Sequence, residues 1–180
     1  MKLDLITNKR EKNNIINPND EFYTPIYAIK PLLKYLKKYK TIWCPFDTED
    51  SCFVKELLKE GHKVIYSHIL EGKDFFEYEP DSYDCIVSNP PYSLKNEVLT
   101  RLFSLQKPFA MLMGVVGIFE SKTRFNLFKD NDFEIMYFNK RISYFRSYDE
   151  EKPMLNPPFS SVYITHKILP KQIMFEELDK

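Results

Sequence analysis

The stretch Tyr83-Asp84-Cys85-Ile86-Val87-Ser88-Asn89-Pro90-Pro91-Tyr92 constrains this chain more than any other. Ile86 and Val87 are β-branched and Cys85 is small and apolar, so the run suits a central strand covered on both faces. It must stop at Asn89. Two consecutive prolines donate no backbone N–H, and each restricts the residue before it to extended conformations, so the chain leaves the sheet on a stiff path. The Asn89 side-chain amide and the Pro90 carbonyl are thereby held beyond the strand's carboxyl end, where ligands bind in open α/β sheets. Two acceptors side by side suit a planar –NH2 group, and Tyr92 adds an aromatic face for stacking.

Asn89-Pro90-Pro91-Tyr92 after a hydrophobic strand resembles the catalytic motif of the amino-methyltransferases that use S-adenosylmethionine. These are chiefly the N6-adenine DNA and RNA methyltransferases and the glutamine-N5 protein methyltransferases, and the phage-type adenine enzymes are the most similar. Without its context the tetrapeptide reads as a proline-punctuated turn. The resemblance implies an α/β, Rossmann-like methyltransferase fold, S-adenosylmethionine as cofactor, and methyl transfer to the N6 amino group of adenine in DNA, with RNA as a near variant. Asn89, Pro90, Pro91 and Tyr92 are then the catalytic residues. The target base flips out of its helix against Tyr92, and Asn89 and the Pro90 carbonyl accept its two N6 hydrogens. Catalysis by positioning follows, with no metal and no covalent intermediate.

At 180 residues the chain reads as a flexible N-terminal arm over residues 1–18 and a single domain over 19–180. The order of strand and helix signals predicts a mixed sheet of about seven strands with helices on both faces and an antiparallel strand near the end. Thr24 as N-cap, Pro25 at the first helical position, and Ile26, Ile29, Leu33 and Leu36 at helical spacing predict the first helix, which Pro31 should kink or divide. Further strands are predicted over 41–46, 63–69, 109–113, 134–138 and 161–165, and helices over 51–60, 93–105 and 121–128. Residues 139–158 form the longest irregular stretch, and the acidic tail from Gln172 reads as peripheral. A second motif, Asn156-Pro157-Pro158-Phe159, precedes a strand where the first follows one, and reads as a connecting loop.

Asp20-Glu21-Phe22-Tyr23-Thr24-Pro25 resembles the segment that precedes the sheet in phage-type adenine methyltransferases. That implies Phe22, Tyr23 and Thr24 at the methionine end of the cofactor, with ring faces toward its sulfonium. Cys44, Pro45, Phe46 and Asp47 stand in the place of the family's glycine-rich cofactor loop, yet Asp47-Thr48-Glu49-Asp50 contains no glycine. A carboxylate there can pair with the cofactor's ammonium group and would repel its carboxylate. After the second strand, Ser67 and His68 replace the acidic ribose ligand of the family. Asp74 and Phe75 resemble the pair that holds the cofactor's adenine. Apart from the resemblance, these features are a capped helix, a structural histidine and a turn with a hydrophobic anchor.

Lys plus Arg equals Asp plus Glu at 26 each, so no global basic field draws in a polyanion. A nucleic-acid partner needs a local patch. Arg124, Lys140, Arg141 and Arg146, with the ring of Tyr144, are the candidate contacts to phosphate and base, against the alternative of a solvated, salt-bridged surface. Cys44, Cys52 and Cys85 lack metal spacing and read as buried thiols of a reducing compartment. No apolar run reaches transmembrane length and no signal-peptide pattern is present, which predicts a soluble, cytoplasmic protein without a membrane or metal partner. Two other readings stay open. The glycine-free loop and the missing ribose carboxylate point to a methyltransferase-like module that has lost cofactor affinity and binds nucleic acid or a host protein. Methylation of a protein glutamine would use the same acceptor pair.

Overall fold

The computed structural model describes residues 22–179. The expected arm over residues 1–18, and Asp20 and Glu21 of the pre-sheet segment, lie outside the described residues. Seven strands form one sheet: β1 (Thr41–Cys44), β2 (Lys63–Tyr66), β3 (Cys85–Ser88), β4 (Phe109–Gly114), β5 (Glu134–Phe138), β6 (Ser161–His166) and β7 (Ile173–Glu176). Their order is β2-β1-β3-β4-β6-β5-β7. β1 to β4 run parallel, β6 lies antiparallel between β4 and β5, and β7 is parallel to β5. This is the mixed α/β sheet that the sequence predicts.

Burial explains why these segments are strands. β3, β4 and β6 are buried at every position, and successive residues face opposite sides of the sheet. Cys85, Val87, Ala110 and Leu112 pack with Ala28, Ile29, Leu32 and Leu36 of helix α1 (Ile26–Leu36) and Phe53, Val54 and Leu57 of α2 (Cys52–Lys59). Trp43, Ile86, Phe109, Met111 and Met113 face Val98, Leu99, Leu102 and Phe103 of α3 (Lys95–Ser104) and Phe128 of α4 (Lys122–Asp130). The sheet is therefore covered on both faces, as parallel strands require.

Three local expectations are corrected. α1 runs undivided through Pro31, because Ala28, Ile29, Leu32 and Leu36 are all buried and packing holds the helix across the missing hydrogen bond. Pro25, not Thr24, occupies the N-cap, in extended conformation and without a side-chain cap bond. The tail after Gln172 is not peripheral: β7 pairs along β5, and Glu176 accepts from Tyr35 Oη (2.6 Å) and Lys34 Nζ (2.8 Å) of α1.

Candidate functional site

β2 lies on one side of β1 and β3 on the other, so the sheet order reverses at β1. The carboxyl ends of β1 and β3 are the topological switch point, the place where this class of sheet binds ligands. The loop after β1 and the Asn89–Tyr92 turn both leave the sheet there.

Asn89 Nδ2 donates to the Phe22 carbonyl (2.5 Å) and to Thr24 Oγ1 (3.1 Å). A carbonyl can only accept, which fixes the amide's orientation and leaves Oδ1 on its other side. That Oδ1 is buried and has no hydrogen-bond partner among the described residues. Thr24, read from sequence as a helix cap, spends its hydroxyl here instead and is buried.

Aromatic rings surround the turn. Phe22 stacks on Tyr92 with centroids 5.0 Å apart and planes at 26°, and Phe159 lies 5.5 Å from Tyr92 and 5.9 Å from Phe22. The Tyr92 hydroxyl meets that of Tyr144 at 3.1 Å, and Tyr144 Oη donates to Ser161 Oγ at 2.6 Å. A Cβ added to Gly114 would come within 3.1 Å of the Phe159 ring and 3.4 Å of Tyr92, so the rings close on bare backbone. The two Asn-Pro-Pro-aromatic segments thus converge on one spot.

Asp47 is buried at the end of β1, and its carboxylate accepts from the hydroxyls of Ser51 and Ser88. Burial lifts its pKa to about 6, against the opposing pull of those two hydrogen bonds. Burial raises the phenol pKa of Tyr148, from the long stretch between β5 and β6, and the Asp47 charge raises it further. Tyr148 lies near enough to the Ser51 side chain and the Cys52 backbone, at the N-terminus of α2, for both to pull that pKa down. Its ring meets Tyr23 edge-on at 4.9 Å. Tyr23 exchanges two backbone hydrogen bonds with Phe145 (3.2 and 2.9 Å).

The remaining predicted cofactor residues have their groups engaged internally. Cys44 and Pro45 are buried, and burial pushes the Cys44 thiol pKa up. Phe46 packs on Phe75 at 4.8 Å, and Phe75 packs on Trp43 at 5.5 Å. His68 Nδ1 accepts from the Leu70 N–H (3.2 Å), and Ser67 Oγ accepts from Trp43 Nε1 (2.9 Å). Asp74 Oδ1 accepts from the Phe76 N–H (2.9 Å), which makes it a turn former.

Two expected contacts to nucleic acid are placed elsewhere. Arg124 donates to the carbonyls of Ile118 (2.8 Å) and Gly117 (2.6 Å) and to Asn96 Oδ1 (2.6 Å), binding the loop after β4 to α3. Tyr144 is fully buried and serves the Tyr92–Ser161 hydroxyl chain. Lys140, Arg141 and Arg146 are exposed. Lys140 and Arg141, with Ile142, Ser143, Asn156 and Pro157, line an open depression of about 350 Å³ beyond β5. Sequence reasoning missed Ser88, Ser51, Tyr148 and Phe159. Only Phe159 had a signal, the repeat of the Asn-Pro-Pro-aromatic pattern.

No protein-family model matches the sequence, and no curated protein matches it. Solved structures match in fold. A modification subunit assigned to a type I restriction enzyme from Vibrio vulnificus YJ016 aligns with a TM-score of 0.56 at 9% identity, over 96% of this chain and 50% of that one. The type I restriction-modification system methyltransferase subunit from Streptococcus thermophilus aligns at 0.51 and 15% identity, over 87% and 47%. This chain has a Rossmann-like methyltransferase fold. It spans about half the length of those two structures, and at such identities the likeness is one of fold alone. Among the described residues no helix of this methyltransferase fold is long and apolar enough to cross a membrane. None of their His, Cys, Asp and Glu side chains form a group of three or more able to hold a metal ion.

Proposed function

We propose that this chain transfers a methyl group from S-adenosylmethionine to the N6 amine of adenine in DNA, with RNA as the near variant. The observation that carries the reading is Asn89 Oδ1, a buried acceptor without a donor at the switch point. Leaving such a group unpaired costs about 1–3 kcal/mol, so a ligand N–H that reaches it is favoured. An exocyclic amine brings two N–H groups, and Asn89 Oδ1 and the Pro90 carbonyl are two adjacent acceptors for them. Those bonds draw the amine's lone pair out of conjugation with the ring while Tyr92 stacks on the base.

When bound, S-adenosylmethionine supplies an electrophilic methyl group carried on a sulfonium. The residues present fit it at its methionine end. Asp47 is a buried carboxylate for the ammonium group, and the nearby N-terminus of α2 is a site that favours an anionic oxygen. In this reading Phe22, Tyr23 and Thr24 would hold that end, Cys44, Pro45 and Phe46 would back it, and His68, Asp74 and Phe75 would serve the adenosine part. Lys140, Arg141 and Arg146 are the exposed cations for a phosphate backbone. DNA is favoured because the two structures of like fold are named as restriction-modification subunits.

Purified protein incubated with radiolabelled cofactor and unmethylated DNA tests the reading. Label in N6-methyladenine, reduced at least about a hundredfold by Asn89→Ala, is expected from the loss of an acceptor aimed at the reacting amine. Incorporation no greater than that of the Asn89→Ala control sinks it.

A second reading has its own observation. The two serines engage the Asp47 carboxylate with the protein's own groups, as in a binding module that no longer takes cofactor. Calorimetry with S-adenosylmethionine and its demethylated product separates the two, and micromolar binding of either removes the binding-module reading.

A further inference from the structure

We infer that the Phe22 ring is an internal occupant of the slot in which a target base would stack on Tyr92, so that this side chain moves aside before a base can enter while Thr24 keeps its bond to Asn89. The inference rests on the function proposed above and adds a regulation of the same site. Phe22 reproduces what a flipped base needs. It lays a flat ring on Tyr92 at 5.0 Å and 26°, it meets Tyr144 and Phe159 edge-on, and its own backbone carbonyl holds the Asn89 amide. The hydrogen-bond sense differs. Phe22 offers Asn89 an acceptor, whereas an amine offers a donor, and that leaves Oδ1 unpaired while the ring is in place. An aromatic slot whose polar partner is half-satisfied favours exchange of the internal ring for one that satisfies the other half.

The occupant is tied to the cover over Asp47. Tyr23 holds Phe145 through two backbone hydrogen bonds and meets the Tyr148 ring at 4.9 Å, and Tyr148 is near enough to Asp47 and Ser51 for both to act on its phenol. Withdrawal of the Phe22 ring pulls on the adjoining Tyr23 and so strains the contacts of Tyr148 as well. Base slot and cofactor loop open together, linked by the Tyr23–Phe145 bridge and the Tyr23–Tyr148 ring contact.

The test compares wild type, Phe22→Ala and Phe22→Leu for binding of a short single-stranded oligo(dA) and of an all-abasic oligonucleotide of equal length, without cofactor. Phe22→Leu keeps apolar volume and guards against a folding defect. Both variants are expected to bind oligo(dA) about three- to tenfold more tightly, the scale of one aromatic pair, with abasic binding unchanged. In wild type, oligo(dA) is expected to release hydrogen-exchange protection at the Tyr23 and Phe145 amides. Oligo(dA) binding that neither tightens in the variants nor deprotects those amides overturns the inference and leaves the proposed function intact if wild type methylates DNA. Absence of both oligo(dA) binding and methylation in all three proteins overturns the function and the inference together.

Discussion

Ser88 Oγ donates to Asp47 Oδ2 at 2.5 Å, tying the loop after β1 to the end of β3 where the strand order reverses. Ser51 donates to the other carboxylate oxygen. Two neutral donors do not offset burial, so the folded pKa stands at about 6 against an ordinary 3.8. The folded state thus binds this proton more tightly than the unfolded one. Stability from this group is fully present below pH 3.8, falls as pH rises through 6, and is level above. The span corresponds to roughly 3 kcal/mol. Asp84 works in the opposite sense, its pKa lowered by the backbone N–H groups of Thr41 and Lys40, so the wild type alone does not isolate Asp47. Urea unfolding of wild type and Asp47→Asn at pH 4 and pH 7 does so. Relative to wild type, the variant is expected to gain up to about 3 kcal/mol on going from the lower pH to the higher.

Thr24 is 1% exposed and shares Asn89 Nδ2 with the Phe22 carbonyl. Thr24→Val keeps the shape and removes the acceptor, at a cost of about 1 kcal/mol in stability. If the hydroxyl positions Asn89 for an amine, turnover falls about tenfold with KM for DNA little changed, because the misdirected amide matters only at the reacting group. Thr24→Ser is expected to restore turnover. Steady-state kinetics with thermal unfolding of all three proteins decides it, and a stability loss at unchanged turnover would leave Thr24 a purely structural residue.

The central sheet was legible in the sequence because strands such as Cys85–Ser88 and Phe109–Gly114 are buried on both faces and so are nearly continuous apolar runs. β7 was not. Its Glu176 reads as part of an acidic tail until Lys34 and Tyr35 of α1 are placed beside it. The same holds at the site. Asn89 to Tyr92 announce themselves through two adjacent prolines, a purely local signal. Thr24 followed the local rule for a helix cap and lost that role to a partner 65 residues away. Tyr148 and Phe159 reach the site from the long connection between β5 and β6, whose path no periodicity describes.

Arg124 serves three acceptors on two elements, a fork that lysine's single ammonium cannot reproduce. Arg124→Lys and Arg124→Ala are therefore expected to lose stability alike, by about 2–3 kcal/mol, the scale of hydrogen bonds to a charged group. The two variants should leave the salt dependence of DNA binding as in wild type, whereas Arg141→Ala should reduce the slope of log K against log salt by about one phosphate contact. Binding titrations across a salt series check both statements. A reduced slope for Arg124→Ala would return that residue to the nucleic-acid surface.

Gly114 ends β4 beneath the meeting point of the two proline motifs, and its backbone conformation is an ordinary one, so space and not φ makes glycine the residue there. A methyl group would meet two atoms of the Phe159 ring at 3.1 Å and Tyr92 at 3.4 Å. Phe159 cannot simply tilt away, since Phe22 and Tyr92 both pack against it. Gly114→Ala is expected to cost about 1–3 kcal/mol, as inserted volume does in a packed region, and to push Phe159 off the Tyr92 ring. Pairing it with Phe159→Leu makes the claim specific: a smaller, flexible neighbour should absorb the methyl group and recover most of the loss in thermal unfolding. If the double variant is destabilised by the sum of the single effects, the clash lies elsewhere and the convergence of the two motifs does not set the residue at 114.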